Sequence, residues 1–241
     1  YRMRKYPLML DYMRCMLEGK SLRACANEVG ICLKTSFEWR HKILAAIRAL
    51  EGGISFSGIV EADELLMNYS EKGRKFKNKE EYQRAKKKKH PKVAVLVVTD
   101  REGNLLFKHV GEKKVKNEQL RDELKSRLSE NNLICVKPKK EFRKGVKGLQ
   151  SKKVIVNKRQ LKRGIYSVKI VESKISDFKT WLSRFHGVAT KYLQSYLMWF
   201  VIMNKYLKEL IDPDIGRLLN LSSHDRWAWD KYREIVSQRY D

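Results

Sequence analysis

The sequence predicts an α/β protein in which a helical N-terminal domain precedes a mixed-sheet core. Three observations predict it. Apolar residues recur at intervals of three and four over the first fifty positions. The run VAVLVVTD (93–100) is β-branched almost throughout, as in a buried strand, and a short turn, REGN, joins it to a second apolar run, LLFKHVG (105–111). Helical spacing then returns at Asn117 and dominates from about residue 170 to 207.

The bulk numbers narrow the partners. The chain has 241 residues, 42% of them hydrophobic, enough for a sizeable core and against wholesale disorder. Its net charge is +25, from 53 basic and 28 acidic residues. Such a surplus points to a polyanion, with nucleic acid first and an anionic membrane surface second. No run of 18 apolar residues occurs, so no span is expected. The start, YRMRKYPLMLDYMRCM, lacks the apolar stretch of a signal peptide. It also lacks an initial Met, and a chain cut from a longer one is expected. Cys15, Cys25, Cys32 and Cys135 form no CxxC pair, which leaves no zinc ribbon in view. With apolar neighbours they are expected to be reduced core residues of an intracellular protein acting on DNA.

The first helix spans residues 7–18, with Leu8, Met9, Tyr12, Met13, Met16 and Leu17 at helical spacing, and Gly19 stops it. Ser21 caps a second helix, Leu22 to Val29, which Gly30 terminates. A longer helix follows to about Leu50. Short helix, glycine turn and longer helix make the helix-turn-helix pattern, whose second helix enters the major groove of DNA. Lys34, Thr35 and Ser36 are then placed for base or phosphate contact. Arg40, His41 and Lys42 either hold phosphates or pack on the next domain. An ordinary three-helix bundle with a solvated basic face is the competing reading.

Glu51-Gly52-Gly53 marks the domain boundary. GIVEADE (58–64) follows as a short strand ending in three acids, Glu61, Asp63 and Glu64. Alternation puts Glu61 and Asp63 on one face and Val60 and Ala62 on the other. Residues 69–92 hold 11 basic and 3 acidic residues, so a charged loop is expected there, with Arg74, Lys86, Lys87 and Lys88 as phosphate contacts. After the strand pair at 93–111, Asn117 is expected to cap a helix through Leu128, and LICV (133–136) is a fourth strand. Residues 137–163 carry 12 basic residues and one acid, Glu141, in a loop, with VIV (154–156) as a candidate strand. Arg143, Lys144 and Arg163 are further phosphate candidates. The two basic stretches hold 19 of the 25 net charges, a concentration suited to a nucleic-acid track. A helix from about Ile170 and an apolar helix over 187–207 complete the pattern.

Three strands in a meander, a helix, a fourth strand and then helices is the order of a ribonuclease H-like core. In such a core acids from strand 1, from the end of strand 4 and from a late helix converge on two divalent cations about 3.5–4 Å apart. Mg²⁺ is hard and takes oxygen ligands, which is why the residues are carboxylates.

FEWRHKIL (37–44), GIVEADE (58–64), KRGIY (162–166) and GVATKYLQSYLMWF (187–200) resemble DDE transposases of a group of bacterial insertion sequences. The resemblance covers roughly residues 7–205, and its last motif is the most specific. It implies a Mg²⁺-dependent strand-cleaving enzyme that binds double-stranded DNA as a dimer or larger assembly. It places the first acid at Asp63 and the third at Glu172, both metal ligands, with Lys179 as a lysine near the DNA. The second acid is missing: where the family has a pattern like Cys-Thr-Asp, this chain has Cys135-Val136-Lys137. Ser167 stands where the family carries a histidine, and the zinc ribbon common in the group is absent here.

An ammonium in place of a metal-bridging carboxylate removes ligands and adds repulsion, yet it also neutralises the remaining acids. The first expectation is therefore a transposase-derived DNA-binding protein with impaired or lost cleavage. Two alternatives stay open: a working transposase in which Glu141 or a rearranged loop supplies the ligand, and a basic RNA-binding or assembly protein. The expected domains are 1–53 (helix-turn-helix), 54–207 (core) and 208–241, a tail for packing, dimerisation or another protein partner.

Overall fold

The computed structural model describes residues 6–157 and 159–206, with residues 233, 234 and 237. The expectations for the tail otherwise fall outside the described residues. The chain divides into two compact units: one takes the chain through Gly53, Asp177–His186 and the segment from Gln194, and the other takes Ile54–Ser176 and Gly187–Leu193.

In the first unit α1 (Tyr6–Leu17), α2 (Leu22–Val29) and α3 (Leu33–Ile47) follow one another. Ser21 caps α2 by accepting from the Ala24 amide, and Gly30, at φ 70°, closes it in the left-handed conformation that an L side chain resists. Tyr12 donates to the Ser36 carbonyl and Ser36 Oγ donates to the Leu22 carbonyl, so α1, α2 and α3 share one buried polar link. The last α-helical residue of α3 is Ile47, and a 3-10 turn carries the chain to Gly53. The same unit holds the end of α7 (Lys169–Ser183) and α8 (Leu193–Tyr206), whose Trp181, Trp199, Phe178 and Phe200 pack edge to face. The apolar helix expected from residue 187 starts at Leu193, after a 3-10 turn over Thr190–Tyr192.

The second unit is built on a five-stranded sheet ordered β3-β2-β1-β4-β5. Its strands are β1 (Ile59–Met67), β2 (Val93–Asp100), β3 (Leu105–Glu112), β4 (Leu133–Val136) and β5 (Lys152–Ile155). β1, β2 and β3 form the antiparallel meander, and β4 and β5 run parallel to β1. This mixed sheet with its helices is the ribonuclease H-like α/β core that the element order predicted. One face, with Val60, Ala62, Leu96, Val98, Ile134 and Val136, packs on α5 (Asn117–Lys125) and α6 (Lys140–Lys147) through Leu120, Leu124, Phe142 and Val146. Gly145 lets the two helices close: a Cβ there would meet Leu120 Cδ2 at 2.8 Å.

Several local expectations are corrected. β1 runs on to Met67, so the three acids lie within the strand and not at its end. Residues 69–92 include α4 (Lys79–Lys87), capped by Asn78 and opened by Glu80 and Glu81. Asn117 is the first residue of α5, and Lys116 precedes it as the cap position. Residues 137–163 include α6, β5 and β6 (Lys162–Arg163), and β6 pairs antiparallel with β7 (Tyr166–Ser167) just beyond them. Cys32 is exposed, not core. Among the described residues no helix is long and apolar enough to cross a membrane.

Candidate functional site

The site is assembled on the sheet face opposite α5 and α6. Strand alternation sends Val60 and Ala62 into that core and Glu61 and Asp63 to the other side. β4 pairs in parallel with β1, with Val136 beside Ala62. Extending that register by one residue brings Lys137 level with Asp63.

Lys137 Nζ donates to Asp63 Oδ2 at 2.6 Å and to Glu172 Oε1 at 2.5 Å. Asp63 is nearly inaccessible, with a side-chain exposure of 5%, and Lys137 is at 19%. Burial alone pulls the Lys137 ammonium down. The two carboxylates outweigh that and hold its pKa above the ordinary lysine value. Lys139 Nζ binds the other oxygen of Asp63 at 3.0 Å and Glu64 Oε1 at 2.9 Å. The Val115 amide donates to the second oxygen of Glu64.

Glu61 is buried and has a different task. It accepts from Ser167 Oγ at 3.1 Å and from the amides of Ile170 and Val171, at 2.9 and 3.2 Å. Those amides open α7, so a β1 side chain satisfies the helix terminus and fixes the start of the helix that carries Glu172. Burial raises the Glu61 carboxyl, against the pull of its three donors.

The structure therefore brings Asp63, Lys137 and Glu172 together. Lys179 is exposed two turns along α7 from Glu172. Glu141 is not in a loop: it lies in the first turn of α6 and pairs with Lys114. Sequence reasoning missed Lys139 and the capping by Glu61. The signal for the first was the Lys-Pro-Lys triplet at 137–139, which a turn folds onto Asp63.

Of the DNA-contact candidates, Ser36 and Arg40 are withdrawn because both are fully buried. Arg40 donates to the Lys20 carbonyl and Cys25 Sγ and lies over the Trp199 ring at 5.1 Å. Arg74 is bound by Glu71 and Glu81 and lies over Phe76. Thr35 is half-buried with its hydroxyl on Cys32, and Lys42 is half-buried, its pKa lowered by burial. Lys34, Lys86, Lys87, Lys88, Arg143, Lys144 and Arg163 are exposed. On α6, Lys140 and Lys147 extend Arg143 and Lys144 into one exposed stripe, with Phe142 and Val146 on the buried side.

These residues do not fit a pair of divalent cations. The space between Asp63 and Glu172 is spanned by an ammonium, and Asp63 has a cation on each oxygen. Among the described residues no three His, Cys, Asp or Glu side chains group as metal ligands.

A family profile described as an ISXO2-like transposase domain matches residues 55–202, more than half of the chain. The chain belongs to the ISXO2-like transposase family. The matched span holds Asp63, Lys137 and Glu172. No protein of curated function matches this family member. Among solved structures, a chain of the crystal structure of a pre-cleavage Mos1 transpososome is similar at 9% identity and a TM-score of 0.30. The match covers 95% of this chain and 78% of that one, and is too weak to bear on function.

Proposed function

We propose that this transposase-family chain is a DNA-binding protein in which phosphodiester cleavage is lost or severely impaired. The observation that carries the reading is the Lys137 ammonium within hydrogen-bond distance of both Asp63 and Glu172. On this reading Asp63 and Glu172 are the first and third acids of a DDE site, Lys137 replaces the second, and Lys179 faces DNA. Divalent cations in such sites share oxygen ligands between protein and phosphodiester. The ammonium removes one ligand, occupies lone pairs on the other two and repels a further cation.

DNA binding is supported by where the charge lies. The α6 stripe and the lysines ending α4 are exposed and sit on elements of defined geometry. In the first unit, α2, its glycine turn and α3 have the element order of a helix-turn-helix, with Lys34 exposed in the first turn of the second helix. Assembly as a dimer follows from the family resemblance.

The test is a nicking and strand-transfer assay in Mg²⁺ or Mn²⁺, on supercoiled plasmid and on duplexes carrying candidate terminal repeats. The expected result is salt-dependent duplex binding with no nicking above an Asp63→Ala control. Robust nicking that disappears in Asp63→Ala overturns the reading.

A further inference from the structure

We propose that Lys139 is a second internal cation of the site, and that replacing Lys137 alone does not restore divalent-cation binding. The inference rests on reading Asp63 and Glu172 as the remaining acids of a former metal site, and deepens it.

The two ammoniums divide Asp63 between them. Lys137 takes Oδ2 and Lys139 takes Oδ1, at 2.6 and 3.0 Å. The local chain explains the pairing. The Lys139 amide donates to the Lys137 carbonyl at 2.8 Å, a tight turn centred on Pro138. That turn folds two lysines back onto one carboxylate. Lys139 is held at its far end as well: its second partner, Glu64, is fixed on its other oxygen by the Val115 amide. The ammonium also lies 5.6 Å from the centre of the Phe142 ring. Lys139 then begins α6 as its cap position, and the Arg143 amide donates to its carbonyl. Backbone and side chain are thus both fixed.

The consequence concerns cation access. A carboxylate offers lone pairs on both oxygens, and either oxygen serves a metal. Removing Lys137 frees Oδ2 and Glu172 but leaves a positive charge on Oδ1 of the same carboxylate. A divalent ion arriving at Oδ2 meets that charge across one carboxylate. Lys139 therefore acts through Asp63, as a positioning residue. The competing view treats it as a rim ion pair: its side chain is 36% exposed, and pairs of that kind contribute little. The two views differ in a binding measurement.

The experiment is Mn²⁺ titration of the full chain, followed by the electron paramagnetic resonance signal of free Mn²⁺. Wild type, Lys137→Asp, Lys137→Asp/Lys139→Gln and Lys137→Asp/Lys139→Arg are compared, with folding checked by circular dichroism. The Gln double variant is expected to bind at least tenfold more tightly than Lys137→Asp, and the Arg double variant no more tightly than Lys137→Asp. That pattern assigns the effect to charge and not to side-chain length. If Lys137→Asp does not fold, the same comparison is made on Lys137→Asn. Equal binding by the single and Gln double variants, or no gain in a folded double variant, overturns the role of Lys139 alone. Tight Mn²⁺ binding by the wild type overturns the parent reading as well.

Discussion

Lys137 Nζ lies 2.6 Å from Asp63 Oδ2, one residue beyond the strand that pairs with β1. The contact links β1 and β4 through side chains where their backbone ladder ends, and the same ammonium reaches Glu172 on α7. Breaking it leaves a carboxylate of 5% exposure short of a partner. Lys137→Met is expected to cost about 2–3 kcal/mol, below the full penalty for a buried pair because Glu172 is partly solvated. Urea denaturation at neutral pH measures it. Arg84→Met, which removes a fully surface ion pair with Glu80, serves as the control and should leave the midpoint unchanged.

The same contact has a pH signature. The pKa of Lys137 is raised above its ordinary value of 10.5 in the folded chain. A raised lysine stabilises fully below the unfolded value, and the contribution is lost as pH rises through the folded value. The stability gap between wild type and Lys137→Met should stay constant from about pH 7 to about pH 10 and close above that. Denaturant midpoints for both proteins across this range decide it; a gap that persists at the alkaline end contradicts the assignment.

Glu61 is expected to behave as a helix anchor. Glu61→Ala leaves two α7 amides and the Ser167 hydroxyl without their acceptor, at a cost of about 2–4 kcal/mol. Glu61→Gln keeps an acceptor and sheds the buried charge, and should stay within about 1 kcal/mol of wild type. Because burial raises the Glu61 carboxyl, wild type should gain stability relative to the Gln variant as pH falls through that raised value towards 4.5. Thermal melts of both variants at several pH values test both statements.

Much of this was readable in the residues. The β-branched run at 93–100 and its partner gave the meander, and the alternation in GIVEADE assigned Glu61 and Asp63 to one face. What escaped had physical causes. Arg40 sits at a helical position that looks exposed, because sequence does not show that two aromatic rings will cover a guanidinium. α4 was hidden by its lysines, although Asn78, Glu80 and Glu81 carry the start signals of a helix. β1 reads as short in the sequence because buried acids in mid-strand are costly unless partnered, and the partners, Lys137, Lys139 and the α7 amides, are distant in sequence.

Burial separates two basic residues of α3 that sequence treats alike. Arg40→Ala should cost about 3 kcal/mol of stability, through weakened packing and broken buried hydrogen bonds, with duplex affinity of the folded fraction unchanged. Lys34→Ala should leave stability unchanged and weaken duplex binding. Denaturation and fluorescence anisotropy on the same two proteins separate the outcomes.

The α6 stripe predicts a salt effect. Replacing Arg143 and Lys144 with Gln should lower the slope of log K against log salt by about 0.9 for each phosphate no longer neutralised, across unrelated duplex sequences. Anisotropy titrations between about 50 and 200 mM salt read this directly.

The most direct measurement of the central claim is anomalous scattering from crystals of the wild-type chain grown in excess Mn²⁺. No manganese peak is expected between Asp63 and Glu172, and the Lys137 ammonium is expected in contact with both carboxylates. A manganese peak there, with Lys137 turned away, would contradict it.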